Sequence, residues 1–325
     1  MKRKIAVIGG GYSSERDVSL GSMRGICDIL DREKFEVYPV IIDVDGWSVE
    51  VGGGELLAVD RNFFGFTLEG ERTKFDFAWI TIHGTPGENG LLQGYLEMLG
   101  VPYSGCGVFT SALTFNKYYC KRYLANVGVV TPKAILVRRG ELPDNLYVEN
   151  YLGYPVFVKP NGGGSSLGIT KVDRSEDLGV AFSRAFAEGG DVIVESMVSG
   201  IEITCGCYKT DVVRTLPLTE VVSYGEFFDY DAKYGGRGAE EITPAVLSDL
   251  LAESIRTTTV GIYNLIRARG IIRVDYIVAG DGRVSMLEVN TTPGMTEKSI
   301  IPQQLRAAGI DATEFFTELI ELSSN

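Results

Sequence analysis

The sequence predicts an α/β protein that opens on a parallel, helix-covered sheet. The opening KIAVIGG reads as a strand running into a glycine-rich turn. The helix expected next carries its apolar residues Leu20, Met23, Cys27 and Leu30 at helical spacing. Two further strand-like runs follow, EVYPVIID and FDFAWITI. Strands alternating with helices indicate a parallel sheet whose ligands lie beyond the C-terminal strand ends. Glu15 and His83 both fall just past such ends.

The pattern continues through LLQGYLEMLG, VPYSG and a long helical stretch to YPVFVKP, NGGGSSLG and VIVES. Beyond these come ITCGCY, LPLTEVV, a polar loop near 223–243, a helix, a hairpin and short terminal helices. At 325 residues and 45% hydrophobic content the chain can fill several cores. Three lobes are expected, over 1–105, 106–196 and 197–325. No internal repeat or low-complexity segment interrupts them.

Formal net charge is -12 with no Lys/Arg block, which disfavours nucleic acid as a partner. A phosphate can still be held locally by backbone amides, a few lysines and Mg²⁺. No run of eighteen apolar residues and no signal-peptide core occurs, so a soluble, cytoplasmic protein without membrane partners is expected. The five cysteines are odd in number and scattered, as for reduced thiols. Cys205 and Cys207 lack a second pair, and His83 is the one histidine, so zinc is disfavoured.

The most informative segment is GIIRVDYIVAGDGRVSMLEVN, two β-rich runs joined by Gly280-Asp281-Gly282, a hairpin signal. Side chains alternate faces along a strand. Arg273 and Asp275 therefore share one face, and Met286, Glu288 and Asn290 share one face of the partner. Ile272, Val274 and Tyr276 supply the core face. Asp275, Glu288 and Asn290 offer hard oxygen ligands of the kind Mg²⁺ takes beside phosphate oxygens and water. The bland alternative is a salt-bridged strand surface.

In VFVKPNGGGSSLG a strand ends at Lys159 and runs into three glycines and two serines. Successive backbone N–H groups there can cradle phosphate oxygens, although the lysine precedes the glycines, unlike a Walker loop. A bare flexible loop is the alternative. IGGGYSSERDVSL with Asp43 invites a dinucleotide fingerprint, but the third glycine position is Ser14, followed at once by Glu15. A carboxylate there would repel a pyrophosphate and suits an ammonium; a plain helix-capping acid is the alternative. His83 in HGTPGENG sits at the sheet's edge, in either a functional or a structural role.

Together these segments resemble the bacterial D-alanine:D-alanine ligase family of the ATP-grasp superfamily. The likeness runs through GGGYSSERDVSL, HGTPGENGLLQGYLEMLGVPYSGCG, the lysine of SALTFNKYYCK, FVKPNGGGSSLG, FDYDAKY, IRVDYIV and LEVNTTPGMTEKS. The resemblance implies an ATP-grasp fold behind an N-terminal Rossmann-like domain, and commonly a homodimer. It implies that Lys117 and Lys159 contact ATP phosphates beneath Ser165, Ser166 and the glycine loop. Glu195, Met197, Val198, Glu202 and Met286 would surround the nucleoside. Asp275, Glu288 and Asn290 would hold two Mg²⁺ ions, with Mn²⁺ able to substitute.

For the substrates, the resemblance implies that Glu15 and His83 orient the first D-alanine. Arg273 and the Gly294 amide would stabilise an oxyanion, and Ser299 with Ile300 would receive the second D-alanine. Lys233 and Tyr234 belong to a loop that closes over both ligands in the family, which makes the polar loop a lid. The implied reaction forms a D-alanyl phosphate from ATP, then D-alanyl-D-alanine for peptidoglycan. The tyrosine of FDYDAKY favours D-alanine over D-lactate or D-serine as acceptor. The loop NGGGSSLG and Lys298 depart from forms common in the family. A nicotinamide oxidoreductase is the rival enzyme reading, and a non-catalytic nucleotide-binding module the rival binding one.

Overall fold

The computed structural model describes residues 2–164, 167–223 and 239–323. Strand β1 (Arg3–Gly10) is buried on both faces from Ile5 onward, as a central parallel strand must be. Helix α1 (Arg16–Ile29) packs against it through Met23, Ile26 and Cys27. Next come β2 (Phe35–Asp43), β3 (Gly46–Val51), β4 (Glu55–Ala58), the separate hairpin β5 (Gly65–Leu68) and β6 (Glu71–Lys74), and β7 (Phe77–Ile80). The sheet order is β4-β3-β2-β1-β7. The expected parallel pairing holds for β1 with β2 and β7, while β3 and β4 extend the sheet as antiparallel strands. Ile5 and Val7 face α1; Ala6 and Ile8 face the opposite core with Leu92 and Leu96 of α2 (Leu91–Met98).

Helices α3 (Val108–Phe115) and α4 (Lys117–Ala125) follow, separated by Asn116, whose side chain caps α4 at the Tyr119 amide. The second sheet is antiparallel. It contains β8 (Ala134–Val137), then after α5 (Asn145–Leu152) β9 (Val156–Pro160) and β10 (Thr170–Val172), and after α6 (Leu178–Ala187) β11 (Val192–Ser196). Its order is β10-β9-β11-β8, over a core of valines with Leu178 and Phe182.

The third sheet takes β12 (Ile201–Lys209), β13 (Val213–Thr215), β14 (Thr219–Ser223), β15 (Ala239–Ile242) and, after α7 (Asp249–Leu265), β16 (Ile271–Val278) and β17 (Val284–Asn290). Its order is β15-β14-β12-β16-β17, with β13 also on β12. Helices α8 (Ile300–Ala307) and α9 (Ala312–Leu322) close the chain. Two packing relations join the three sheets and their helices. Ile301, Leu305, Phe315 and Phe316 return to the first sheet, joining Val7, Met23 and Trp79. Cys106, Cys120 and Leu124 pack with the third sheet. All five cysteines are free and buried. Among the described residues no helix is long and apolar enough to cross a membrane.

Candidate active site

A cleft of about 1050 Å³ opens where the three sheets meet. Glu15, His83, Lys117, Lys159, Glu195, Met197, Val198, Glu202, Arg273, Asp275, Glu288, Asn290, Gly294, Ser299 and Ile300 all line it. Residues from every part of the chain thus converge on one cavity. Ser165, Ser166, Lys233 and Tyr234, with most of the expected lid, lie outside the described residues.

The hairpin supplies the polar floor. Arg273 grips Asp275 with Nε and one terminal nitrogen, both at 2.8 Å. Across the ladder Asp275 pairs with Glu288 and Arg273 with Asn290. Asn290 donates Nδ2 to Asp275 at 3.0 Å and to Glu288 at 3.5 Å; a half-turn of the amide presents Oδ1 to the same space. Burial opposes the charge on Arg273, but Asp275 outweighs it and holds the guanidinium's pKa above its ordinary value.

Met286 is the correction. The ladder shifts register between Asp275 and Tyr276, so that Glu288 faces Asp275 while Met286, not Leu287, faces Tyr276. Leu287 is the extra residue of a bulge, and strict alternation fails across it. Met286 turns into the core with no exposed surface, and Leu287 lines the cleft in its place.

Toward the second sheet, Lys117 opens α4 and reaches both the Gly163 carbonyl and, at 3.4 Å, Glu288. One turn later Lys121, 3% exposed, meets Glu195, whose other oxygen takes Lys159 at 2.6 Å. Burial works against the charge on Glu195, yet the two lysines together hold its pKa below the ordinary value. Burial brings Lys121 down to about 8, with Glu195 opposing it. For Lys159 the same desolvation is outweighed by Glu195, and its pKa rises. The Met197 amide donates to Pro155 at 3.1 Å, so that N–H is committed within the protein.

Toward the first sheet, Glu15 stands at the N-cap of α1 but makes no capping bond with its side chain. It is 5% exposed, and a Cβ on Gly164 of the glycine loop would come within 3.1 Å of both its oxygens. Asp43 binds Arg16 at 2.7 and 2.9 Å, which occupies the acid that the dinucleotide reading needed. His83 is buried, and desolvation lowers its pKa although Glu15 opposes the shift, so the ring is neutral near pH 7. Its Nε2 lies 3.5 Å from Ser22 Oγ, and that hydroxyl accepts from the Met295 amide at 3.2 Å. Gly294 abuts Ser299: an added Cβ would sit 2.9 Å from Ser299 Oγ. Ser299 bonds Thr296 rather than capping α8.

Lys121, behind the cleft, and Glu88, on its lining, are among the residues that escaped the sequence reading. Lys121 was signalled only by its spacing of four from Lys117, which puts both on one helix face. Glu88 lines the cleft and closes a small loop, its carboxylate accepting from Gly84 at 2.7 Å. Burial and then the nearby Glu15 push its pKa up to about 8.

Two family models match the chain, D-ala D-ala ligase N-terminus over residues 4–106 and D-ala D-ala ligase C-terminus over residues 123–321. A D-alanine--D-alanine ligase of Phocaeicola vulgatus is 49% identical over 323 residues, covering 99% of each chain. Among solved structures, the VanG D-Ala:D-Ser ligase of Enterococcus faecalis superposes with a TM-score of 0.86 at 30% identity, covering 99% of this chain and 100% of that one. A D-alanine--D-alanine ligase of Bacillus anthracis complexed with ATP gives 0.80 at 31% identity, with 99% and 97% covered. With Asp43 already bound to Arg16, these likenesses displace the nicotinamide reading. The fold is that of the ATP-grasp ligases, and the chain belongs to the D-alanine–D-alanine ligase family.

Proposed function

We propose that this protein joins two D-alanine molecules at the expense of ATP, releasing ADP and phosphate, in the cytoplasm and for peptidoglycan synthesis. The observation that carries the reading is the cleft whose lining brings the Asp275–Glu288–Asn290 group together with Lys117, Lys159, Glu15, His83 and Gly294, Lys117 being paired directly with Glu288. We further propose three lobes, over 1–105, 106–196 and 197–325, and a homodimer.

The charge pairing argues for metal. Lys117 faces Glu288, Lys121 and Lys159 share Glu195, and Arg273 holds Asp275. These cations are thus partly neutralised before a triphosphate arrives. Asp275, Glu288 and Asn290 form an all-oxygen donor set that fits Mg²⁺, or Mn²⁺, completed by phosphate oxygens. Two ions there would neutralise charge on the transferring phosphoryl group.

The chain's own residues do the rest. Lys117 and Lys159 bind phosphate oxygens beneath the glycine loop with Ser165 and Ser166. Val198, Glu202 and Leu287 flank the nucleoside. Glu15 holds the first substrate's ammonium, and neutral His83 packs beside it without adding repulsion. That substrate's carboxylate attacks the γ-phosphorus, the bond to the β,γ-bridging oxygen breaks, ADP leaves, and the substrate becomes an acyl phosphate. The acceptor's amine, deprotonated, then attacks the acyl carbon; the terminal Arg273 nitrogen not used by Asp275 and the Gly294 amide stabilise the oxyanion until phosphate leaves. Ser299 and Ile300, at the start of α8, take the acceptor's carboxylate.

Lys233 and Tyr234 would close the site, and Tyr234 would favour D-alanine as acceptor. D-Serine is the second candidate, because VanG, a D-Ala:D-Ser ligase, is among the close structural neighbours. Phosphate release should require both ATP and D-alanine. Product analysis with D-alanine, D-serine and D-lactate in competition should give D-alanyl-D-alanine in excess near neutral pH. Dominance of another product overturns the acceptor assignment, and phosphate release without any amino acid overturns ligation.

A further inference from the structure

Lys121 is buried, ionically paired and assigned no part in the reaction above. Its Nζ meets Oε1 of Glu195 while Lys159 takes Oε2 at 2.6 Å. Both lysines and the carboxylate are nearly sealed from water, at 3%, 12% and 4% side-chain exposure. Placing a second ammonium on a carboxylate that already has one is costly in such a setting, so packing alone gives no reason for it. Hydrophobic replacements of like volume generally serve a core at least as well.

The charge arithmetic supplies a reason. Glu195 and Lys159 alone would form a neutral pair, and Lys159 could turn to a phosphate only by abandoning a buried carboxylate. With Lys121 on the other oxygen, Glu195 keeps a partner when Lys159 turns away. The group of three then carries one net positive charge beside the cleft. Lys121 does not line that cleft, whereas Lys159 and Glu195 do.

We infer that Lys121 is a positioning residue for ATP: by holding Glu195 from behind, it frees Lys159 to engage the nucleotide's phosphates. The inference rests on the ligase reading above. The group's surroundings also give it a pH dependence. Glu195 of β11, Lys159 of β9 and Glu288 of β17 are the charged groups acting on Lys121. Desolvation brings its pKa to about 8. Deprotonation above that value should remove the support and weaken ATP binding.

The test measures ATP KM, kcat, calorimetric ATP affinity with Mg²⁺ and melting temperature for the wild type, Lys121→Met and Lys121→Arg. Lys121→Met should raise the ATP KM and weaken ATP binding about ten- to a hundredfold, the scale of one charge-assisted bond. The D-alanine KM should stay within about twofold, and Lys121→Arg should restore part of the ATP affinity. In a Glu195→Gln background, removing Lys121 should cost little more, because its object is gone. An unchanged ATP KM in folded Lys121→Met, or the same loss with and without Glu195, overturns the inference. If Lys121→Met does not fold, Lys121→Gln, which keeps a donor toward Glu195 without the charge, decides: a raised ATP KM supports the role, and an unchanged one overturns it. Dipeptide formation by the wild type separates the readings: without it the ligase assignment fails, and with it only the role of Lys121 is in question.

Discussion

Gly25 on α1 lets the loop that carries Gly294 approach the helix. A Cβ at Gly25 would lie 2.7 Å from the Met295 carbonyl oxygen, inside the contact distance of a methyl carbon and an oxygen. The oxygen belongs to the backbone, so the loop rather than a side-chain tip must move by a few tenths of an ångström. Gly21, one turn earlier on the same face, is the control: its added Cβ would meet Thr296 Cγ2 at an ordinary 3.5 Å. Gly→Ala inside a helix is worth about 1 kcal/mol in propensity, so Gly21→Ala should be stabilised by up to about that amount. Gly25→Ala gains the same term but loses about 1–3 kcal/mol to overpacking, leaving it less stable than Gly21→Ala. The activity effect should be larger than the stability effect. Met295 is tied through its amide to Ser22 and so toward His83, and moving it shifts the proposed Gly294 oxyanion donor. Displacements of this kind cost roughly ten- to a hundredfold in kcat. Thermal melts and ADP release at saturating substrates measure both effects. Gly25→Ala with wild-type kcat and a melting temperature equal to that of Gly21→Ala would refute the coupling of α1 to the loop.

Glu288→Gln should keep the fold while lowering turnover by at least about a hundredfold, since it removes a charge from the proposed metal group; unchanged activity and Mg²⁺ dependence would dismiss that assignment. Arg273→Lys keeps the charge but loses the fork that binds Asp275 and is proposed to reach the oxyanion, and kcat should fall about 10²-fold or more. A kcat near wild type would reduce Arg273 to a counter-ion for Asp275. Glu88 has a folded-state pKa of about 8 against an ordinary 4.5, so the folded protein binds the extra proton between these values. Its contribution to stability is therefore largest below pH 4.5 and is lost as pH rises through about 8. Glu88→Gln imitates the protonated form, and its melting temperature should gain on the wild type's across that window; parallel curves would remove Glu88 as the source.

The parts of this site that depend on local pattern could be read from the chain. β1 shows its apolar run, α1 its helical spacing, and the hairpin its Gly-Asp-Gly turn with acids on alternate positions. What failed depended on a register that no local pattern carries. Met286 was placed with Glu288 by strict alternation, and one extra residue in β17 reversed its direction and put Leu287 on the cleft. The β3 and β4 extension was missed because short runs such as ELLA carry too few alternations to declare a strand. Lys121 had a visible signal in its helical spacing from Lys117. Its meaning came only with Glu195, 74 residues away, at the other end of the ion pair.

The cleft's geometry also explains why the three sheets are not independent. The segment after β17 passes through Thr291–Gly294, touches α1 at Gly25, and then commits α8 and α9 to the first sheet's core. The side of the cleft proposed for the acceptor is thus built by C-terminal residues fastened to an N-terminal helix. The side proposed for the nucleotide is different: α4 packs with the third sheet, while Lys117 and Lys121 on it reach Gly163 and Glu195 of the second-sheet region. Polar contacts cross that boundary where apolar packing crosses the other. Apolar interlocking holds one arrangement, because packed cores yield little to displacement. Ion pairs can exchange partners for phosphate oxygens at much smaller loss. The first boundary is therefore suited to fixing Gly294 and Ser299 relative to Glu15 and His83. The second is suited to adjusting when ATP enters, with Lys121 retaining Glu195 as Lys159 changes partner.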